Sequence, residues 1–205
     1  MKVAINGFGR IGRSVFRILN SQKNIDVVAI NDIADNEAMA YLLKYDTVMG
    51  PFKDSVEINI DILKTSYNEI KMLAEREPSH LPWSEMEVDV VIESTGIFRT
   101  KKQLDDHIKA GAKRVVLTVP AKDEIDYTLV IGVNDKGLND SHKIISNASC
   151  TTNCLAPMAK ILNDNFGIEH GVINTIHAYT NDQRLADVPH SDWRRSRAAA
   201  ENIIP

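Results

Sequence analysis

Both cysteines of this 205-residue chain lie within about one helical turn, in the stretch NASCTTNC at residues 147–154. A thiol can be a nucleophile, a metal ligand or half of a disulfide. A structural zinc site usually takes four Cys or His ligands, and no second cluster accompanies this pair, so we predict no metal. The N-terminus lacks the apolar length of a secretory signal, and the cytosol keeps thiols reduced. The pair therefore serves chemistry or packing.

The two thiols are predicted to differ in reactivity. Ser149 is expected to cap a helix that carries Leu155 and Leu162, which would place Cys150 in the first turn. A helix N-terminus stabilises the thiolate, so Cys150 is the candidate nucleophile, with a buried thiol as the alternative. Cys154 would lie one turn deeper, and we expect it to be a shielded packing residue.

A general base is needed to activate or serve such a nucleophile. His177 closes the apolar run VINTI at residues 172–176, which predicts a strand over 171–177. A polar residue at a strand end can project into a cleft between domains. His177 is therefore the candidate base, and a structural histidine is the alternative.

The stretch GFGRIG at residues 7–12 fits the pattern G-x-G-x-x-G. It lies between an apolar run and a helical pattern, where Gly7 permits a tight turn, Gly9 lets the backbone approach a pyrophosphate and Gly12 allows close helix packing. Asp32 follows about 20 residues later, where a carboxylate can bind an adenosine ribose and repel a 2′-phosphate. This favours NAD over NADP. The alternative is a glycine turn with a helix-capping Asp.

The elements that must position these residues alternate along the chain. Apolar runs at 3–5, 27–30, 88–92, 114–117 and 127–131 predict strands, separated by helical stretches that include 37–44 and 101–110. The predicted fold is α/β: a doubly wound, mostly parallel Rossmann-type sheet over residues 1–147, followed by the start of a second α+β catalytic domain over 148–205. We expect a kink or local break at Pro157 in the helix after Cys150.

Charge and hydropathy exclude several classes of function. The net charge is −4, and no Lys/Arg run marks a phosphate-backbone surface, so we expect no nucleic-acid partner. No apolar stretch is long enough to span a membrane, and we expect a cytoplasmic protein.

Five stretches together resemble the phosphorylating glyceraldehyde-3-phosphate dehydrogenase family, along the entire chain. They are INGFGRIGR (5–13), ESTGIF (93–98), SNASCTTNCLAP (146–157), HAYTNDQ (177–183) and RRSRAAAENIIP (194–205). The resemblance implies that Cys150 is the nucleophile and His177 its base. It implies that NAD is bound by the glycine turn and by Arg10, Ile11, Asp32, Arg76, Thr95, Gly96 and Thr118, and that phosphate oxygens are bound by Ser149, Thr151 and Thr180.

The resemblance also implies a reaction and an assembly. Glyceraldehyde 3-phosphate would be oxidised to 1,3-bisphosphoglycerate with NAD and inorganic phosphate, through a thioester at Cys150. Residues 178–200 resemble the family's S-shaped loop, which reaches a neighbouring subunit and implies a homotetramer. Val188 stands where the family usually has leucine, before Pro189; it is still apolar, so NAD remains the expected cofactor.

Two alternatives remain open at this point. Erythrose-4-phosphate dehydrogenase shares the Cys/His pair, although HAYTND favours the glyceraldehyde enzyme. The family continues beyond the position of Pro205, so the sequence can also be a fragment that binds NAD without catalysis. We expect little dehydrogenase activity from a polypeptide that ends at Pro205.

Overall fold

The computed structural model describes residues 1–204, which form two compact units. The first unit is Met1–Phe166, and the second begins at Gly167. The predicted domain boundary at 147/148 falls inside the first unit and stays a prediction.

The first unit contains a nine-stranded sheet and four α-helices. The strands are β1 (Lys2–Asn6), β2 (Asp26–Asn31), β3 (Glu57–Asn59), β4 (Ile62–Lys64), β5 (Glu69–Leu73), β6 (Val90–Glu93), β7 (Arg114–Leu117), β8 (Tyr127–Thr128) and β9 (Ile144–Ser146). The helices are α1 (Arg10–Leu19), α2 (Asn36–Lys44), α3 (Lys101–Lys109) and α4 (Cys150–Phe166).

The sheet is mostly parallel, as predicted. Its order is β3-β4-β5-β2-β1-β6-β7-β9-β8, and only the β3–β4 and β4–β5 pairings are antiparallel. The order runs outward from β1 to β2 and β5 on one side and to β6, β7 and β9 on the other. This is the doubly wound arrangement, and its direction reverses between β1 and β6.

Successive residues of β1 pack into different cores. Ala4 belongs to an apolar cluster that includes Leu104 of α3, whereas Ile5 belongs to a second cluster that includes Phe16 of α1. All four side chains are completely buried. Because side chains alternate across a strand, a central strand covered on both faces is apolar throughout, and this explains the continuous apolar run at 3–5.

Some predicted strands are shorter or absent. The run at 127–131 forms a strand only over Tyr127–Thr128, because the Val130 N–H donates to the Asn134 side chain at 2.8 Å and the chain then turns at Gly132, whose φ is +79°. The short strands β3, β4, β5 and β9 were not predicted. Their runs of three to five residues are too brief to give a clear period.

The predicted strand over 171–177 is wrong for the structure described. Val172 and Ile176 are each 99% exposed, and no strand is formed in the described part of the second unit. An apolar run rich in β-branched residues does not make a strand by itself, because a strand also needs a hydrogen-bonded partner and a buried face. The second unit instead contains a short 3₁₀ helix, Trp193–Ser196, and an ion pair between Arg197 and Asp187 at 2.6 Å.

Candidate functional site

The three motif glycines have different surroundings. Gly7 has φ +90°, and a Cβ built on it would lie 2.6 Å from the Thr95 nitrogen. A Cβ on Gly12 would lie 2.1 Å from the Gly7 carbonyl oxygen, whereas one on Gly9 meets nothing within 4 Å. Gly7 and Gly12 are therefore required by the turn and its packing, and Gly9 exposes backbone to open space.

The glycine turn is held from behind by a buried cation. The Arg13 side chain is on α1, and its Nη1 donates to the Phe8 carbonyl at 2.8 Å. Burial lowers the pKa of this guanidinium, with the nearby Asp46 acting in the opposite direction. Since the Phe8 carbonyl is turned toward Arg13, the following peptide N–H of Gly9 is directed away from Arg13.

Helix α1 differs from the other α-helices of the described residues at its N-terminus. Asp35 caps α2 by accepting the Ala38 N–H, Thr100 caps α3, and Ser149 caps α4. The residue before α1 is Gly9, which supplies no capping side chain. The positive end of α1 is thus left without an acceptor of its own, which suits a phosphate group.

Asp32 lies just beyond the end of β2 and is tied to the glycine turn. Its Oδ2 accepts the Phe8 N–H at 2.7 Å, and its Oδ1 accepts the Ala34 N–H at 3.0 Å. A carboxylate has about four acceptor sites, so each oxygen retains capacity for a ligand hydroxyl. Asp32 therefore fixes the turn and can bind a ribose at the same time.

A cleft of about 440 Å³ opens at the carboxyl ends of β1, β2 and β6. The predicted cofactor residues that line it are Gly7, Gly9, Asp32, Arg76 and Thr95. Sequence reasoning missed the other lining residues, which are Asn6, Asn31, Ile33, Glu75, Glu77, Ser94, Ile97 and Phe98. Asn6 and Asn31 are polar residues that end buried strands, and that signal could have identified them.

Arg10 lies outside the lining of this cleft and is bound elsewhere. Its Nη1 lies 2.8 Å from Asp46 Oδ2, and the Asp46 side chain is 6% exposed. The Met49 N–H and then Arg10 hold the pKa of Asp46 well below its usual range. Ile11, in the first turn of α1, is 51% exposed.

Three more predicted cofactor residues do not line the cleft. Gly12 packs behind the turn against Gly7. Gly96 follows Thr95 with a φ of +74°. Thr118 follows β7, and its Oγ1 donates to the Glu93 carbonyl at 3.1 Å. The roles predicted for these three residues toward the cofactor stay predictions.

The N-terminus of α4 has the predicted cap. Ser149 Oγ accepts the Thr152 N–H at 2.9 Å, which places Cys150 and Thr151 as the first two helical residues. Ser149 and Thr152 also line a second cleft of about 300 Å³, together with Thr128 and others. Helix α4 continues without a break through Pro157, so the expected local break is absent.

The prediction that Cys154 is shielded is wrong. Cys150 and Cys154 are both exposed. The reason is that α4 has no buried residue, and its apolar residues Met158 and Ile161 are 51% and 63% exposed. A packing role for Cys154 therefore finds no support, and what distinguishes the two thiols is their position along the helix.

His177 and Thr180 belong to the second unit and are exposed there. His177 Nδ1 lies 2.5 Å from the Ala178 carbonyl oxygen, which places the proton of a neutral ring on Nδ1. The Thr180 N–H and hydroxyl both lie within hydrogen-bonding distance of Gln183 Oε1, at 2.7 and 3.0 Å. Since Cys150 lies in the first unit, its pairing with His177 stays a prediction.

Residues 1–204 offer neither a metal centre nor a membrane-spanning helix. No group of three or more His, Cys, Asp or Glu side chains there is arranged to hold a metal ion. None of the helices in the same range is long and apolar enough to cross a membrane.

The strand order, the glycine turn beside the point where the order reverses, and the carboxylate after β2 define a Rossmann-type dinucleotide-binding protein. Residues 1–101 match the model for the glyceraldehyde 3-phosphate dehydrogenase NAD binding domain, and residues 149–205 match the model for the C-terminal domain of the same enzyme. The chain belongs to the glyceraldehyde-3-phosphate dehydrogenase family, and its cofactor is NAD.

Individual relatives agree with this membership over the whole chain. It is 57% identical to glyceraldehyde-3-phosphate dehydrogenase of Borreliella burgdorferi, 56% to that of Streptomyces coelicolor and 55% to that of Thermotoga maritima, each over 100% of this chain. The chain spans 62%, 61% and 62% of the lengths of these relatives.

Proposed function

We propose that the whole protein oxidises glyceraldehyde 3-phosphate to 1,3-bisphosphoglycerate, using NAD and inorganic phosphate. The observation that carries this proposal is a capped helix start bearing Cys150, in a chain that also has an uncapped α1 beside Asp32. The first arrangement suits a thiolate nucleophile and the second suits a dinucleotide. The names of the relatives support this reading over erythrose-4-phosphate dehydrogenase.

The cleft fits NAD chemically. The uncapped positive end of α1 would hold the pyrophosphate, and the oxygens of Asp32 would accept hydrogen bonds from the adenosine ribose. Arg76 and Thr95 line the same cleft. A 2′-phosphate would meet the charge of Asp32, so we propose preference for NAD over NADP. When bound, NAD accepts the hydride that the substrate carbon loses.

The residues of the chain supply the covalent chemistry. The Cys150 thiolate attacks the aldehyde carbon and forms a carbon–sulfur bond, and the carbonyl oxygen takes a proton from protonated His177, giving a thiohemiacetal. His177 takes the hydroxyl proton as hydride leaves the same carbon, and the product is a thioester. A phosphate oxygen then attacks the thioester carbon, the carbon–sulfur bond breaks and the Cys150 thiolate returns. A thiol suits this sequence because the covalent intermediate divides one difficult step into two easier ones.

Three hydroxyl side chains are proposed to bind the phosphate oxygens of the substrates. Ser149 and Thr151 lie at the first turn of α4, where backbone N–H groups and the helix dipole favour an anion. Thr180 is proposed as a third contact, from the turn that it forms with Gln183.

We also propose a cytoplasmic homotetramer, in which residues 178–200 form the S-shaped loop that reaches a neighbouring subunit. The loop segment supports this through its exposure: Leu185 is 86% exposed and Trp193 is also 86% exposed in the isolated chain. Large apolar side chains of this kind are suited to a protein interface.

The test is a comparison of Cys150→Ser with Cys154→Ser in the natural full-length protein. Both thiols are exposed on α4, so the two substitutions are matched in location and size. We expect Cys150→Ser to abolish NADH formation from glyceraldehyde 3-phosphate and phosphate while NAD still binds, and Cys154→Ser to retain activity. Activity retained in Cys150→Ser would contradict the proposal, as would a wild-type protein that prefers erythrose 4-phosphate.

A further inference from the structure

A buried polar network lies directly behind the dinucleotide cleft. Glu93, at the end of β6, and His107, on α3, are both 0% exposed. Their side chains meet at 3.0 Å between Oε2 and Nε2. Completely buried ionisable side chains need specific partners, and neither residue is required by the chemistry proposed above.

Glu93 is surrounded by donors. Its Oε1 accepts from the Thr95 N–H at 2.8 Å and from the Thr95 hydroxyl at 2.5 Å. Its Oε2 faces Asn6 Nδ2 at 2.6 Å and His107 Nε2. A carboxylate can accept about four hydrogen bonds, and all four partners here can donate. The ionised form therefore satisfies every partner, whereas a protonated form would turn its O–H toward a donor.

The tautomer of His107 follows from its other neighbour. Trp83 Nε1 lies 3.0 Å from His107 Nδ1, and an indole nitrogen can only donate. His107 Nδ1 must then be the acceptor, so the ring is neutral and its proton is on Nε2. This proton is directed at Glu93, which leaves one negative charge at the centre of the network.

The network reaches two walls of the cleft. Thr95 is one lining residue, and it is bound to Glu93 through both its N–H and its hydroxyl. Asn6 extends the hydrogen-bond network to the next strand, because its Oδ1 accepts from Asn31 Nδ2 at 2.7 Å. Asn31 in turn binds the backbone of Glu75, accepting its N–H at 2.8 Å and donating to its carbonyl at 2.9 Å. Glu75 immediately precedes Arg76, on the opposite side of the cleft.

We infer that Glu93 is a positioning residue for dinucleotide binding, which holds Thr95 directly and the segment before Arg76 through Asn6 and Asn31. This inference rests on the proposed NAD site. It also restricts Thr95. The hydroxyl proton is directed to Glu93, and the hydroxyl oxygen already accepts the Ile97 N–H at 3.1 Å, so the oxygen can accept one hydrogen bond from a ligand but the hydroxyl cannot donate to one. Thr95 is then suited to a ribose hydroxyl or an adenine amino group, and not to a phosphate oxygen.

The substitution that tests this is Glu93→Gln. It keeps the shape of the side chain but replaces one acceptor oxygen with an NH₂ group, which must face either Thr95 or the pair Asn6 and His107, all of them donors. We expect the dissociation constant for NAD to rise about tenfold or more, because a buried donor is left unsatisfied and the lining residues move. The KM for NAD should rise similarly, while kcat at saturating NAD stays close to wild type.

A core variant separates positioning from general loss of stability. Leu63→Ala is suitable, because Leu63 is completely buried on β4 and does not line the cleft. It should lower Tm at least as much as Glu93→Gln, with the dissociation constant for NAD within about twofold of wild type. If Glu93→Gln does not fold, His107→Asn gives the same test, because it keeps an acceptor for the Trp83 N–H but is too short to reach Glu93, and His107 does not line the cleft.

The outcomes distinguish the two proposals. NAD binding measured by titration that is unchanged in Glu93→Gln, or in His107→Asn where the first variant is unfolded, would overturn the positioning role alone. An equal loss of affinity in Leu63→Ala would also overturn it. A wild-type full-length protein that does not bind NAD would overturn the NAD site and this inference with it.

Discussion

Replacing Gly9 and Gly12 separately by alanine should separate ligand binding from folding within one motif. At Gly12 the new methyl group would lie 2.1 Å from the Gly7 carbonyl oxygen. Ordinary carbon–oxygen contacts are about 3.3 Å or longer, so the two backbones would have to separate by about 1.2 Å. At Gly9 a methyl group meets no atom within 4 Å, and its φ of −70° is one that alanine adopts readily.

The expected energies differ accordingly. Overpacking of a buried site costs about 1–3 kcal/mol, and here the obstacle is backbone, so the upper part of that range applies; the higher helix propensity of alanine returns at most about 1 kcal/mol. Gly12→Ala should therefore lower stability by about 2 kcal/mol, or about 4–8 °C in Tm for a chain of this size. For Gly9→Ala, two effects on stability oppose each other. Alanine is less favourable than glycine at the N-cap position, but it lowers the entropy of the unfolded chain, and the two effects cancel to within about 0.5 kcal/mol.

The assay is thermal unfolding of both variants, with and without NAD. Gly9→Ala should unfold close to the wild-type temperature without ligand but gain less from NAD, because the methyl group occupies the open space that the pyrophosphate needs. Its dissociation constant should rise by about tenfold or more, which is about 1.4 kcal/mol. Unchanged NAD affinity in Gly9→Ala, or an unchanged Tm in Gly12→Ala, would refute this division of roles.

Three further results are expected. Asp46→Asn should lower the free energy of unfolding at pH 7, and its difference from wild type should shrink as the pH falls below about 4. The reason is that a carboxylate with a depressed pKa stabilises the fold above its ordinary pKa and loses that effect in acid. A difference that does not change with pH would contradict this. Asp32→Gly should narrow the difference between the affinities for NAD and NADP. If the wild-type protein bound NAD and NADP equally tightly, Asp32 could not be the residue that selects against NADP. Peptide mapping after brief iodoacetamide treatment should show Cys150 modified before Cys154, since only Cys150 starts a helix; equal rates would contradict it.

The parallel core was predictable from sequence because its signals are local. A continuous apolar run, a glycine turn and a helical period follow one another within residues 3–19, and each has a single structural meaning in that order. The cap of α4 was predictable for the same reason, since Ser149 acts on Thr152, three residues away. Local chemistry of this kind does not depend on the rest of the fold.

Features that depend on distant partners were not predictable. The run at 171–177 has the residue types of a strand, but a strand exists only where another backbone binds it, and residue types say nothing about that. The exposure of Cys154 is similar. Helical position predicts which face of α4 is apolar, yet burial requires a second element on that face, and none covers Met158 or Ile161 within the described unit.

The cleft shows how separate motifs form one site. The stretches INGFGRIGR and ESTGIF are about 90 residues apart, but their strands β1 and β6 are neighbours, with Asn6 opposite Glu93. The Ser94 hydroxyl donates to the Gly7 carbonyl at 2.7 Å, and Gly7 cannot carry a side chain because Thr95 is so close. The segment of residues 93–95 therefore packs against the glycine turn and helps to fix its conformation.

This juxtaposition explains why Glu93 was missed. From sequence, a glutamate that ends an apolar strand and a histidine on a helix 14 residues later are separate polar residues with no evident connection. Their meeting depends on α3 crossing back over the sheet, which places His107 against β6 and Trp83 against His107. A polar residue at the carboxyl end of a parallel strand beside the switch point is nevertheless a signal in itself. Applied to β1, β2 and β6, it selects Asn6, Asn31 and Glu93, the three residues that connect the walls of the cleft.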